Sequence, residues 1–301
     1  MDRRSFAARL ALLPFLPALP VVAQPRRRRL LCFTRSAGFV HSVVKPDAAG
    51  GPSLVDRTLT ALGQTHGFDV TCSKDGALFT PERLREFDAF FFFTSGMLDQ
   101  PGGDNEPPMP PGGKQALLDA VRGGKGFLGV HAASDSFHTP TELPDRSNRY
   151  RTYYPDVDPY VGMLGGEFIN HGKQQNGTVR VVDARFPGMG GFVDGAPRMG
   201  EWYSLKEFAP DLHVLMVLDT AGMPDPEYAR GPFPVTWARR HGSGRVFYTA
   251  LGHREDEWAD PAFVGLLTGA IGWAFGDVPA AIPPNLTAAA PRHADLPRRR
   301  P

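Results

Sequence analysis

The stretch Gly126-Phe127-Leu128-Gly129-Val130-His131-Ala132-Ala133-Ser134-Asp135 decides how this chain folds. Its first five residues are apolar or glycine, with no polar alternation. Such a run predicts a strand buried on both faces, and that needs helices above and below it. A histidine then stands where the strand must turn sharply, among small residues. Small neighbours permit a tight strand-to-helix turn and push the central side chain up at its tip, as in a nucleophile elbow. Here that side chain is an imidazole, which fits a base, an electrophile or a ligand better than an acylated nucleophile.

Upstream, the same logic repeats. Residues 30–34 and 89–94 read as buried strands, the second through Phe90-Phe91-Phe92-Phe93. Residues 53–66 carry apolar side chains at Leu54, Val55, Leu59 and Leu62, a helical spacing that Gly67 ends. Residues 68–73 read as a further strand, 81–87 and 114–122 as helices, and 101–113 as a Pro/Gly loop. Strand and helix alternate, which predicts a mostly parallel sheet. Downstream the pattern changes. Residues 178–183, 201–207 and 214–218 read as closely spaced strands. Residues 235–239 and 245–251 flank a hairpin connection at 240–244, and 259–275 reads as a closing helix. The fold class expected is α/β: a doubly wound, mostly parallel, flavodoxin-like sheet extended by antiparallel strands. Such sheets bind ligands outside the carboxyl ends of their strands.

The ends read differently. Arg3-Arg4-Ser5-Phe6 precedes a short apolar run broken by Pro14, Pro17 and Pro20, with small residues near Ala23. This fits a cleavable export signal over 1–23, of the twin-arginine type, and predicts a periplasmic or secreted protein. Residues 24–28 read as a basic linker, 29–277 as the folded domain, and 278–301 as a flexible Pro/Ala/Arg tail.

Composition narrows the function. With 33 Lys+Arg against 32 Asp+Glu, bulk charge does not favour nucleic acid. No stretch reaches the roughly 18–20 apolar residues of a membrane span. Two cysteines exclude a disulfide framework and a Cys-rich zinc site. Cys32 and Cys72 both fall within expected strands. They read as buried thiols acting as small apolar residues, although a bridge between them would suit an exported protein. The composition leaves a homo-oligomer open.

Four of the nine histidines follow an apolar or glycine-marked element: His41, His131, His171 and His253. In a parallel sheet such positions can converge on one cleft, and imidazole does acid/base and metal-ligand work near neutral pH. His131, Asp135, His171, Glu201 and His253 are the candidate catalytic residues. Asp135 would orient His131 or touch ligand, unless it only caps a helix. Glu201-Trp202-Tyr203 sets a carboxylate beside two aromatics, a pattern suited to sugars. His41, Trp202, Tyr203 and Trp258 are therefore the candidate substrate contacts. The pattern admits a divalent metal, zinc or manganese, on His131, His171 and His253, though without a close-spaced ligand motif. His138 has a place facing the cleft. His66, His213, His241 and His293 read as surface residues.

Together these segments resemble the ThuA-like proteins, named for trehalose utilisation, which have a class I glutamine-amidotransferase-like fold. The resemblance runs in order through residues 38–41, 126–135, 165–171, 201–203, 234–237 and 244–253. It implies sugar catabolism acting on oxidised or keto-glycosides, with His131 in place of the amidotransferase cysteine. Gly200 departs from the family pattern, where an acidic residue often precedes the Glu-x-Tyr segment, and the 101–113 loop is longer than usual. The expected function is an exported enzyme acting on a small-molecule sugar or glycoside as a lyase, hydrolase or isomerase. The alternative is a non-catalytic sugar-binding module on the same fold. A glutamine amidotransferase is excluded for want of the cysteine.

Overall fold

The computed structural model describes residues 26–140 and 150–298. The export signal read at 1–23 lies outside them. A nine-stranded mixed sheet forms the centre, in the order β2-β1-β3-β4-β11-β10-β9-β6-β7. Its parallel half consists of β1 (Arg29–Phe33), β2 (Asp69–Ser73), β3 (Ala89–Phe92), β4 (Gly126–Val130) and β11 (Gly244–Thr249). Its antiparallel half adds β10 (Phe233–His241), β9 (His213–Asp219), β6 (Gln175–Val181) and β7 (Pro197–Gly200). The fold class is the one expected.

The apolar runs form the core because both faces of the parallel half are covered. Every residue of β3 and β4 is buried. On one face lie α1 (Leu54–His66) and α5 (Pro261–Phe275). Ser53 and Asp56 close a reciprocal capping box at the start of α1, and Gly67 ends it in a left-handed turn. On the other face lie α3 (Gly113–Arg122) and α4 (Pro159–Leu164), whose Tyr160 packs on Phe92 and Phe127. Between β2 and β3, α2 (Pro81–Leu84) is shorter than the 81–87 expected. The closing helix starts later than 259: Asp260 caps it and Pro261 occupies its first turn.

Three expectations are corrected. The strand expected over 201–207 shrinks to β8 (Tyr203–Lys206), which leaves the main sheet. It pairs instead with β5 (Glu167–His171), a strand hidden in the sequence behind Gly165 and Gly166. His213 is not on the surface. It is buried at the start of β9, where it donates to the Pro283 carbonyl and meets Asp183 at 3.1 Å. The stretch 278–298, expected as a flexible tail, docks along β9. Asn285 donates to the Val214 carbonyl and accepts from its amide, and Leu286 of α6 (Leu286–Ala289) is buried. The start of β9 thereby finds partners for groups that composition alone leaves in solvent.

All five parallel strands end at one edge of the sheet. The two-stranded sheet of β5 and β8 lies over that edge.

Candidate functional site

His131 follows β4 directly, with φ +46°, a left-handed conformation rare for a non-glycine residue. Its carbonyl accepts from the Tyr248 hydroxyl at 2.9 Å. Gly129 supplies the room for this elbow, since a Cβ there would stand 2.8 Å from Leu164 Cδ1. The imidazole is fully buried, not exposed at the mouth of the sheet as its strand-end position suggests. Its Nδ1 meets the Ala250 carbonyl at 2.9 Å. A carbonyl can only accept, so Nδ1 carries the proton and Nε2 offers a lone pair.

His253 arrives from the end of β11 through Gly252, whose φ of +105° suits glycine. Its Nδ1 lies 3.1 Å from His131 Nε2 and 3.0 Å from Glu201 Oε2. Glu201, just ahead of β8, stands 3.5 Å from His131 Nε2. His41 reaches in from the loop after β1, with its ring centroid 5.1 Å from that of His131 and 5.3 Å from that of His253. Tyr203 underlies the group: its hydroxyl is 3.4 Å from His41 Nε2 and its ring centroid 4.0 Å from that of His131.

The charge state follows from burial and from these neighbours. Burial pushes the His41 imidazole down to about 2, helped by the repulsion of His131 and His253. Burial also lowers His131, against the pull of Glu201. Burial opposes ionisation of Glu201, but the neighbouring imidazoles of His131, His253 and His171 outweigh it and hold the carboxyl well below its usual range. At neutral pH the cluster therefore holds uncharged imidazoles at His41 and His131 beside one carboxylate.

One donor atom from each of His41, His131, His253 and Glu201 lies within 4.8 Å of the other three. Neutral imidazoles with a carboxylate are a donor set that zinc or manganese accepts. The ligand trio expected from sequence is thus corrected: His41 takes the place of His171. His171 instead stands at the rim, its side chain 38% exposed, with Nδ1 2.9 Å from the Gly172 carbonyl and 3.5 Å from Glu201 Oε1. Beside it opens a cleft of about 570 Å³, lined by His171, Lys173, Gln174, Glu201 and Asp225 among others.

Other expected residues lie elsewhere. Trp202 is 1% exposed and donates to the Gln175 carbonyl, so its indole is core and not a sugar platform. Trp258 is buried against Phe91, Phe93 and Phe263 and supports the wall from behind. Asp135 does not orient His131. It binds His138 Nε2 at 2.5 Å, while His138 Nδ1 meets Glu167 at 3.1 Å.

The sequence reading missed three residues near the site. Phe39, two residues before His41, is 67% exposed with its ring centroid 4.9 Å from that of His41. Gln174 and Arg254 form a chain: Arg254 donates to Gln174 Oε1 at 2.8 Å, which leaves the Gln174 amide nitrogen facing His253 Nε2 at 3.0 Å. Phe39 had a signal, an aromatic beside a candidate histidine. Gln174 and Arg254 had none, because only the fold brings them together.

The family model described as trehalose utilisation, ThuA, matches residues 29–274. The chain belongs to the ThuA family. That family is linked to trehalose utilisation, which is consistent with carbohydrate catabolism. A ThuA-like protein from Bacteroides uniformis is 20% identical in sequence, with a TM-score of 0.59 over 86% of this chain and 95% of its own. A ThuA-like protein from Parabacteroides merdae is 18% identical, with a TM-score of 0.54 over 91% of this chain and 98% of its own. At such identities these structures establish the ThuA-like fold and no more. No curated protein matches the sequence. Among the described residues no helix is long and apolar enough to cross a membrane.

Proposed function

We propose that this ThuA-family protein is an exported enzyme that acts on a keto-glycoside at the His41–His131–His253–Glu201 cluster, with a divalent cation held there. The observation that carries the reading is the convergence of four donor groups from four separate chain segments. A cation on these groups would polarise the ketone oxygen of the sugar and acidify the neighbouring C–H. The residues do the rest. His171, at the rim beside Glu201, is placed to take the proton from the carbon next to the ketone. Where the glycosidic oxygen sits β to that ketone, collapse of the resulting enolate expels it, and His171 returns the proton. Phe39, exposed beside His41, offers its face to the apolar side of the sugar ring. The adjoining cleft lies within the roughly 300–1,000 Å³ of small-molecule sites.

Incubation of the protein with candidate keto-glycosides, followed by mass spectrometry of the products, tests this reading. Turnover that stops with chelator and returns with zinc or manganese supports it. Binding without turnover, with or without metal, favours the sugar-binding module.

A second reading has its own observation. The Arg254–Gln174 chain presents an N–H to His253 Nε2, which leaves the His253 proton on Nδ1, facing Glu201 and His131. That arrangement suits a metal-free acid/base relay. Turnover indifferent to chelator selects it.

Export through Arg3 and Arg4 belongs to the same proposal. Replacing both by lysine should hold the protein in the cytosol; unchanged secretion would contradict the twin-arginine route.

A further inference from the structure

Cys32 on β1 and Cys72 on β2 stand directly opposite each other in the parallel pairing. Side chains at paired positions share one face of a sheet, and here the start of α1 covers that face. The Cys32 thiol donates to Asp56 Oδ1 at 3.8 Å and the Cys72 thiol to the Asp56 carbonyl at 3.9 Å. Both sulfurs and a carboxylate oxygen of Asp56 lie within 4.8 Å of one another. The cysteines are free thiols, Cys32 buried as expected and Cys72, contrary to expectation, exposed on the edge strand.

Two further features favour closure. Neighbouring strands lie about 4.8 Å apart, inside the roughly 4.4–6.8 Å of Cα separation that a disulfide accepts. In addition, among the described residues β2 is the edge strand, paired only with β1, so it can adjust without disturbing a second neighbour. No residue of this pair takes part in the histidine cluster, so the inference is independent of the function proposed above.

We propose that Cys32 and Cys72 form an oxidisable dithiol, which closes to a cross-strand disulfide by exchange with a small-molecule disulfide such as oxidised glutathione. The exposed Cys72 reacts first. Its thiolate attacks one glutathione sulfur, the glutathione S–S bond breaks, and one glutathione thiolate leaves. Cys32 then gives its proton to Asp56 or to water and attacks the Cys72 sulfur. A protein S–S bond forms, the mixed disulfide breaks, and the second glutathione thiolate leaves. The protein loses two hydrogens and two electrons, and one oxidised glutathione becomes two reduced ones. Burial raises the Cys32 thiol well above its ordinary range, consistent with its acting second. A bond formed across adjacent strands is of the strained, readily reduced kind, which suits a reversible switch.

The full-length protein is equilibrated across a series of glutathione redox buffers, acid-quenched, alkylated and read by intact mass and peptide mapping. The expected course is a transient single glutathione adduct on Cys72, then a species lighter than the reduced protein by two hydrogens, with neither cysteine alkylated. Cys32→Ser should stop at the adduct, and Cys72→Ser should not react. The wild-type time course decides the matter even where a variant folds poorly. A glutathione adduct on Cys72 that persists without bridging would overturn the proposal, as would two alkylatable cysteines in the most oxidising buffer.

Discussion

Two buried groups of histidine and carboxylate lie within one ThuA domain, and they are built for opposite ends. In the first, His41, His131, His253 and Glu201 converge with their imidazoles at His41 and His131 uncharged. In the second, Asp135 and Glu167 grip His138 from both sides, Lys206 pairs with Glu167 at 3.1 Å, and Tyr150 stacks on His138. Burial opposes the charge on His138, but the two carboxylates more than offset it and lift the imidazole to about 9. Its two nitrogens are both donors and both already used. The imidazoles of the first group keep lone pairs to offer a ligand; His138 in the second has none left. Phe168 and Tyr203 stand between the two groups and keep them apart. Burial of a histidine therefore says little about function until its partners are counted.

Removing one carboxylate from each group is the sharpest way to break this comparison. Glu201→Gln should cut turnover by at least about a hundredfold, the scale of a lost acid/base or ligand group, with the fold retained. Glu167→Gln should leave turnover of the folded protein within about tenfold. It should cost about 3–5 kcal/mol of stability, because His138 and Lys206 lose a buried counter-charge. Steady-state kinetics and urea unfolding of both variants check this, and equal effects on rate and stability would erase the distinction.

His131→Ala falls between these cases. The buried ring holds the Ala250 carbonyl, so its loss should cost about 1–3 kcal/mol as well as the activity. A stability change below about 0.5 kcal/mol, read by urea unfolding, would mean that the elbow does not depend on its imidazole.

Next comes pH. His138 has its folded value raised from 6.5 to about 9. The stability it contributes is fully present below about 6.5 and is lost as pH rises through about 9. The melting temperature of wild type should therefore fall across that window, and the fall should shrink in His138→Gln. An unchanged slope would show that His138 does not hold its proton. The smallest effect is expected of Phe39→Ala. KM for the sugar should rise by about tenfold, the weight of one aromatic stack, with kcat and stability nearly unchanged. A fall in kcat alone would remove Phe39 from the binding surface.

How much of this was legible in the sequence depended on the range of the signal. The parallel half was readable because strands such as Gly126–Val130 announce double burial in their own composition. The histidines after β1, β4 and β11 followed, since parallel strands must end at one edge. Of the small sheet, β8 was readable within 201–207, but β5 and its pairing with β8 were not: β5 is short, and Asn170 puts a polar residue where alternation was sought. Its absence misplaced the residues it carries. Trp202 read as a platform because nothing local told which face it would bury. His171 read as a ligand because the position of His41 depends on a loop with no pattern. Asp135 read as a partner of His131 because its true partner, His138, is held from the other side by Glu167, which β5 carries.

Bound metal per chain tests the central claim most directly. The protein is purified without affinity metal or chelator, dialysed against zinc or manganese and then against metal-free buffer, and analysed by elemental mass spectrometry. The account predicts about one divalent ion per chain in wild type, as four converging ligands imply, with none retained by Glu201→Gln or His41→Ala when both are folded. Wild-type protein that retains no metal and turns over sugar equally with or without chelator would contradict it.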